Sequence, residues 1–222
     1  MTKLAIAVFG AAVFLAGCED PAANKPKATV TNSATPIANA SASPAASPSS
    51  VAVKGDALTI DPENSKVLFV GSKVSGKHDG GFKKFTGTID LVNEKPEESS
   101  VTVKIETASI FTDADGLTDH LMKPDFFDAE TYPTATFTST KIVPDAARGA
   151  GNYIVTGDLE LRGQKKSITF PAEIKVEADA VAVTADFSIN RKDFGMAYAG
   201  KADDLIRDDV VVKLELKTPR KK

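Results

Sequence analysis

From residue 67 onward the chain alternates apolar and polar side chains with a period of two, in run after run. Val101, Val103 and Ile105 alternate with Thr102, Lys104 and Glu106, and Tyr153, Val155, Leu159 and Leu161 with Thr156, Asp158 and Glu160. Ile168, Phe170, Ala172, Ile174 and Val176 alternate with Thr169, Glu173 and Lys175. The same holds for Val181, Val183, Ala185 and Phe187, and for Val210, Val212, Leu214 and Leu216. Successive side chains of an extended strand point to opposite faces, so each run has one apolar and one wet face. Less regular segments at 66–75, 82–92 and 134–143 add three strands, about eight in all. Turn-forming residues at 93–98, 144–152, 162–166 and 177–179 join them, and such short links specify antiparallel neighbours. One stretch reads as a helix, 113–122, with Asp113 as its cap and Leu117, Leu121 and Met122 turned inward.

The expected fold class is therefore all-β: an eight-stranded antiparallel barrel with one short helix. A barrel of about eight strands removes exposed sheet edges and is filled by side chains or holds one small ligand. Membrane-spanning barrels put the apolar band outside. Here the second face carries Lys, Glu, Asp and Thr, so the apolar face belongs inside and water outside. The chain has 12 Phe and no Trp, and many inward positions are Val, Ala or Ile, which permits a cavity without requiring one.

The N-terminus is of another kind. Lys3 precedes an apolar or small run over residues 4–15, the size of a signal-peptide core and too short to cross about 30 Å of hydrocarbon. It ends in Leu15-Ala16-Gly17-Cys18, which matches the bacterial lipobox: residues 1–17 are removed, and Cys18 carries a diacylglycerol and an acylated amine. Two or more acyl chains give a stable anchor where one gives only marginal binding. Glu19 follows, not the aspartate that in some bacteria retains a lipoprotein in the inner membrane. The expected location is the bacterial envelope, periplasm-facing, with the membrane as partner through Cys18. Residues 18–50 are mostly Ala, Ser, Pro, Thr and Asn, with Val30 and Ile37 as the large aliphatics and no aromatic, the composition of a disordered linker. Such a coil spans roughly 30 Å. Residues 51–222 form the single folded domain.

Several function classes lack support. The net charge is −3 and no basic face is clustered, which argues against nucleic acid. One cysteine cannot form an internal disulfide. His78 and His120 lie on separate segments without further ligands, so no metal is expected. The acidic cluster Asp203, Asp204, Asp208 and Asp209 does not have calcium-loop spacing and reads as a solvated loop neutralised in part by Arg207. No nucleophile elbow, phosphate loop or dinucleotide fingerprint is present. A homodimer is compatible with the sequence but not specified by it.

Three stretches together carry a resemblance. They are Gly81-Phe82-Lys83-Lys84-Phe85-Thr86-Gly87-Thr88-Ile89, then His120-Leu121-Met122-Lys123-Pro124-Asp125-Phe126-Phe127-Asp128 with Tyr132-Pro133-Thr134-Ala135-Thr136-Phe137, then Gly157-Asp158-Leu159-Glu160-Leu161-Arg162-Gly163 followed by Phe187-Ser188-Ile189-Asn190-Arg191-Lys192-Asp193-Phe194-Gly195-Met196. In order and spacing they resemble the YceI-like family over about residues 57–218. The resemblance implies a lipocalin-like barrel, exported to the periplasm, whose apolar cavity binds an isoprenoid chain such as a polyprenyl lipid or a quinone, without catalysis. It implies no cofactor beyond that ligand. Family members are commonly soluble, and this chain departs in carrying the lipobox.

Under this reading the cavity candidates are Val103, Ile105, Phe137, Phe170, Phe187 and Leu214. Phe126 and Phe127 close the barrel end or line its mouth, and His120 and Arg191 are headgroup candidates there. Each is also compatible with a plain structural role. Two alternatives stay open: a side-chain-filled barrel acting as an interaction module in the envelope, and an enzyme acting on a lipid-like substrate near His120 and Arg191.

Overall fold

The computed structural model describes residues 20–33 and 55–220; Cys18 and the expected signal peptide lie outside them. The strands are β1 (Thr29–Asn32), β2 (Asp56–Ile60), β3 (Lys66–Lys73), β4 (Gly76–Phe82), β5 (Phe85–Leu91), β6 (Ser100–Glu106), β7 (Ile110–Thr112), β8 (Thr134–Pro144), β9 (Asn152–Leu161), β10 (Gln164–Val176), β11 (Ala180–Asn190), β12 (Gly200–Lys201), β13 (Asp204–Leu205) and β14 (Asp209–Pro219). The helix α1 covers Asp115–Leu121. The main sheet runs β2-β5-β6-β8-β9-β10-β11-β14-β3-β4-β7, antiparallel throughout and strongly curled into a half-barrel. β12 and β13 form a separate small ribbon.

The alternation sorts as expected. Val103, Val155, Ile168, Phe170, Ala172, Ile174, Val183 and Phe187 are buried in one continuous core on the inner face, while the Lys, Glu and Thr between them face water. Arg162 and Gly163 take left-handed φ of 51° and 68°, the paired conformation of a two-residue hairpin turn.

The main sheet has twelve strands, counting β1, where about eight are expected, and four further expectations change. The strand expected at 66–75 is two, because the chain turns at 74–75 and returns as β4 through Gly76-Lys77-His78-Asp79-Gly80-Gly81-Phe82. Asp113 does not cap α1: Ala114 stands at that position with no side-chain bond, and Asp113 accepts from His78 Nδ1 at 2.8 Å instead. That bond holds the Asp113 carboxyl below its usual pKa. The acidic loop is neutralised mainly by residues other than Arg207: Lys73 pairs with Asp204, Arg191 and Lys192 with Asp208, and Lys27 with Asp209.

The fourth correction concerns the linker. Residues 34–50 lie outside those described, but residues 20–33 are not a free tether. β10 and β11 pair only over 173–176 against 181–184, then part. Pro171 accounts for the parting. The Ile174 amide donates to Gly151 on the β9 side, so by strand alternation position 171 faces β11, where proline has no N–H to give.

Into this seam comes the N-terminal segment. β1 pairs with β10 from Thr29 opposite Thr169 to Asn32 opposite Lys166. On the other side the Ser188 amide donates to Pro26 at 2.9 Å and the Ala28 amide to Ser188 at 2.8 Å. Ala28 is buried in the core. Farther back, Ala22 covers Val70 and Val211, outward-facing residues of β3 and β14 that form their own small apolar cluster with it. A segment too polar to make a core can still complete one, because the exposed ladder edges and grooves already exist.

Candidate ligand-binding interior and its closed end

The inner wall carries no charged side chain among its core members. Phe170 and Phe187, opposite one another across the seam, stack at 4.2 Å with rings 13° from parallel, and Phe137 leans on Phe170 at 5.7 Å. Phe137 pairs with Leu159 and has room because Gly157 lies diagonally across from it: a Cβ there would stand 2.4 Å from the Phe137 ring and 2.6 Å from the Thr138 carbonyl. Val101 and Ile105 of β6, Phe137 of β8, Leu159 of β9 and Val212 and Leu214 of β14 pack against the core yet stay only partly buried. The wall along these strands thus keeps accessible apolar surface.

One end is closed. Ile110, Leu121 and Phe126 form a buried cluster with Phe69, Phe82, Leu117, Met122, Phe127 and Ile206 around it. Phe82 and Phe127 meet edge to face at 5.6 Å and belong to both this cluster and the main core. The turn after α1 is fixed by backbone bonds from Phe126 to Lys123 and from Phe127 to Leu121. Arg162 clamps it from the β9–β10 turn, donating to the Pro124 and Gly195 carbonyls, each at 2.6 Å. Sequence reading missed Arg162; its place before the hairpin glycine was the available signal.

The expected site residues therefore divide. Ile105, Phe127, Phe137 and Leu214 retain surface on the inner wall, whereas Val103, Phe170 and Phe187 are buried in it. Phe126 belongs to the end cluster. His120 sits outside that cluster, half-exposed, 3.0 Å from Asp125 and edge-on to Phe126 and Tyr198 at 5.0 and 5.2 Å. Arg191 is not at the mouth. It is 3% exposed, and its guanidinium donates to the carbonyls of Met196, Ile206 and Arg207 and to Asp208. Burial pulls its pKa down, and Asp208 pulls it back. An arginine whose donors are taken up this way holds the 196–208 loop rather than a ligand. Val101, Leu159, Val212 and Tyr198 were not singled out from sequence. A hollow of about 640 Å³ is lined by Asp56, Leu58, Asp61, Asn64, Ala178 and Arg220.

Residues 58–218 match the YceI-like domain. The chain belongs to the YceI-like family. A UPF0312 protein of Pseudomonas putida strain W619 is 31% identical over 140 residues, 60% of this chain and 71% of the relative. Among solved structures, Burkholderia cenocepacia BcnA superposes with a TM-score of 0.62 at 27% identity, covering 71% of this chain and 98% of that one. A polyisoprenoid binding domain from Saccharophagus degradans superposes at 0.58 with 20% identity, covering 73% and 98%; at that identity the likeness is one of fold.

Proposed function

We propose that this YceI-like protein is a lipid-anchored envelope protein that binds an isoprenoid lipid, of polyprenyl or quinone type, in its barrel for transport, storage or sequestration. The observation that carries the reading is the inner wall: apolar, uncharged and still accessible along β6, β8, β9 and β14, with an aromatic cluster at one end. An isoprenoid tail is a long flexible apolar chain, costly to expose at about 25 cal/mol per Å². A curled apolar wall of this kind removes it from water without polar partners along its length. The likeness to a polyisoprenoid binding domain supports the same reading. Binding, not catalysis, is the activity proposed.

Anchoring is the second part. The lipobox at Cys18 supports acylation there, with the barrel facing the periplasm.

The test is native mass spectrometry of the full-length protein, expressed in its source bacterium and extracted with mild detergent. A co-purifying species that extracts as a polyprenyl lipid or quinone, and is lost in Leu214→Trp, supports the binding reading. An unliganded protein recovered from its own lipids overturns it. In the same spectrum a chain beginning at an acylated Cys18 supports the anchor, and Cys18→Ser releases the protein from membranes.

A further inference from the structure

Among the described residues three large hydrophobic side chains are exposed: Val74 at 57%, Leu205 at 49% and Tyr198 at 38%. They come from separate turns whose backbones are hydrogen-bonded to one another. The Val74 amide donates to the Leu205 carbonyl at 3.1 Å, Leu205 pairs with Gly200, and the Ile206 amide donates to Ala199 at 2.9 Å, one residue beyond Tyr198. Lys73 and Ser75 both bond Asp204, locking the two turns together. Exposed apolar residues scattered singly need no explanation, but three gathered on neighbouring, mutually bonded turns do.

A second observation concerns where the chain comes from. Arg207, two residues after Leu205, pairs with Asp20 at 3.4 Å, and Ala22 is buried between Val70 and Val211. The first described residue is therefore docked beside the exposed patch. Cys18 precedes it by two residues, a reach of about 7 Å at full extension. Of the expected linker, the part next to Cys18, residues 20–33, is strap and strand rather than free coil.

We propose that the end of the barrel bearing Val74, Tyr198 and Leu205 rests on the phospholipid surface, with these side chains in the interfacial layer. This rests on the anchoring reading above. Three partly exposed residues do not hold a protein to a membrane; they set the orientation of one held there by its acyl chains. Tyr198 also touches Phe126 at 5.6 Å, so the surface that meets the lipid is the outer side of the barrel's closed end.

The absence of tryptophan in the sequence makes the orientation measurable. The full-length chain, with its single cysteine coupled to a maleimide phospholipid, is reconstituted in phosphatidylethanolamine–phosphatidylglycerol vesicles containing brominated acyl chains. Single tryptophans are placed by Leu205→Trp and Tyr198→Trp, and by Ala178→Trp in the turn before β11. The 11 residues of β11 put that control roughly 35 Å away. Lys201→Trp, on the exposed ribbon turn, repeats the reading without altering an apolar contact. The expected result is at least twofold quenching at 205, 198 and 201 and none at 178. Equal quenching at all four positions, or none at any, overturns the proposal; loss of quenching together with dimerisation through the patch would assign it to a second copy. If cells have already acylated the Cys18 thiol, that lipid replaces the maleimide tether, so the outcome does not depend on acylation, which the mass of the purified chain decides separately.

Discussion

Asp20 and Arg207 stand 187 positions apart in the chain and meet at 3.4 Å. Their side chains are about one-third exposed, so the pair contributes at most about 1 kcal/mol. Its consequence is geometric: it fixes where the chain departs toward Cys18. Asp20 also accepts from the Ala22 amide at 2.9 Å, which starts the turn that lays Ala22 over Val70 and Val211.

Asp20→Ala and Ala28→Asp should therefore separate pin from strand. The first is expected to change stability by less than about 1 kcal/mol. The second places a carboxylate in the seam, where Ala28 is 5% exposed, and should cost on the order of 2 kcal/mol or expel β1. Hydrogen exchange at the Ser188 amide, which bonds Pro26, reads the difference: protected in the first variant, unprotected in the second.

Arg191→Ala should destabilise by about 3–5 kcal/mol, since it leaves a buried hydrogen-bonding network without its cation. Met196, Ile206 and Arg207 would lose a donor to their carbonyls. Denaturant unfolding measures it. A headgroup role would instead predict weakened ligand binding with stability intact.

Gly157→Ala tests the close approach inside the barrel. With the Phe137 ring 2.4 Å and the Thr138 carbonyl 2.6 Å from the added carbon, overpacking of about 1–3 kcal/mol is expected. The lost stability should appear as a lower midpoint with unchanged denaturant slope.

The docked turns should loosen in acid. Lys73, then Ser75, holds the Asp204 carboxyl below its ordinary pKa. A carboxylate depressed in the folded state contributes stability that is whole above the unfolded value of about 3.9 and is lost as pH falls through the lower folded one. Exchange at the Ser75 amide, which donates to Asp204 at 3.0 Å, is expected to be flat from neutral pH to about 4 after correction for intrinsic rate. Below that it should accelerate, and Asp204→Asn should remove the acid dependence.

The period-two runs were enough to name the strands of the wall, since alternation is a local property of the chain and one face must be buried. The turn at Arg162-Gly163 was equally local. β4 escaped because its glycines have no side chain to alternate, and their absence is what admits Phe69, whose ring lies 2.5 Å from where a Cβ of Gly80 would be. His120 and Arg191 looked alike as polar residues beside apolar runs. Only packing distinguished the half-exposed imidazole from the guanidinium enclosed by three carbonyls.

What the sequence by itself determined was the all-β class and the inward and outward faces. Each follows from residues adjacent or two apart. What the tertiary structure decided was the use of residues 20–33. Their composition forbids a core of their own, and it is silent about a groove created by Pro171 in a strand some 140 positions later. Whether a polar segment is a tether or a strand depends on the unpaired edges that the rest of the chain leaves open, and those edges exist only once the barrel has curled.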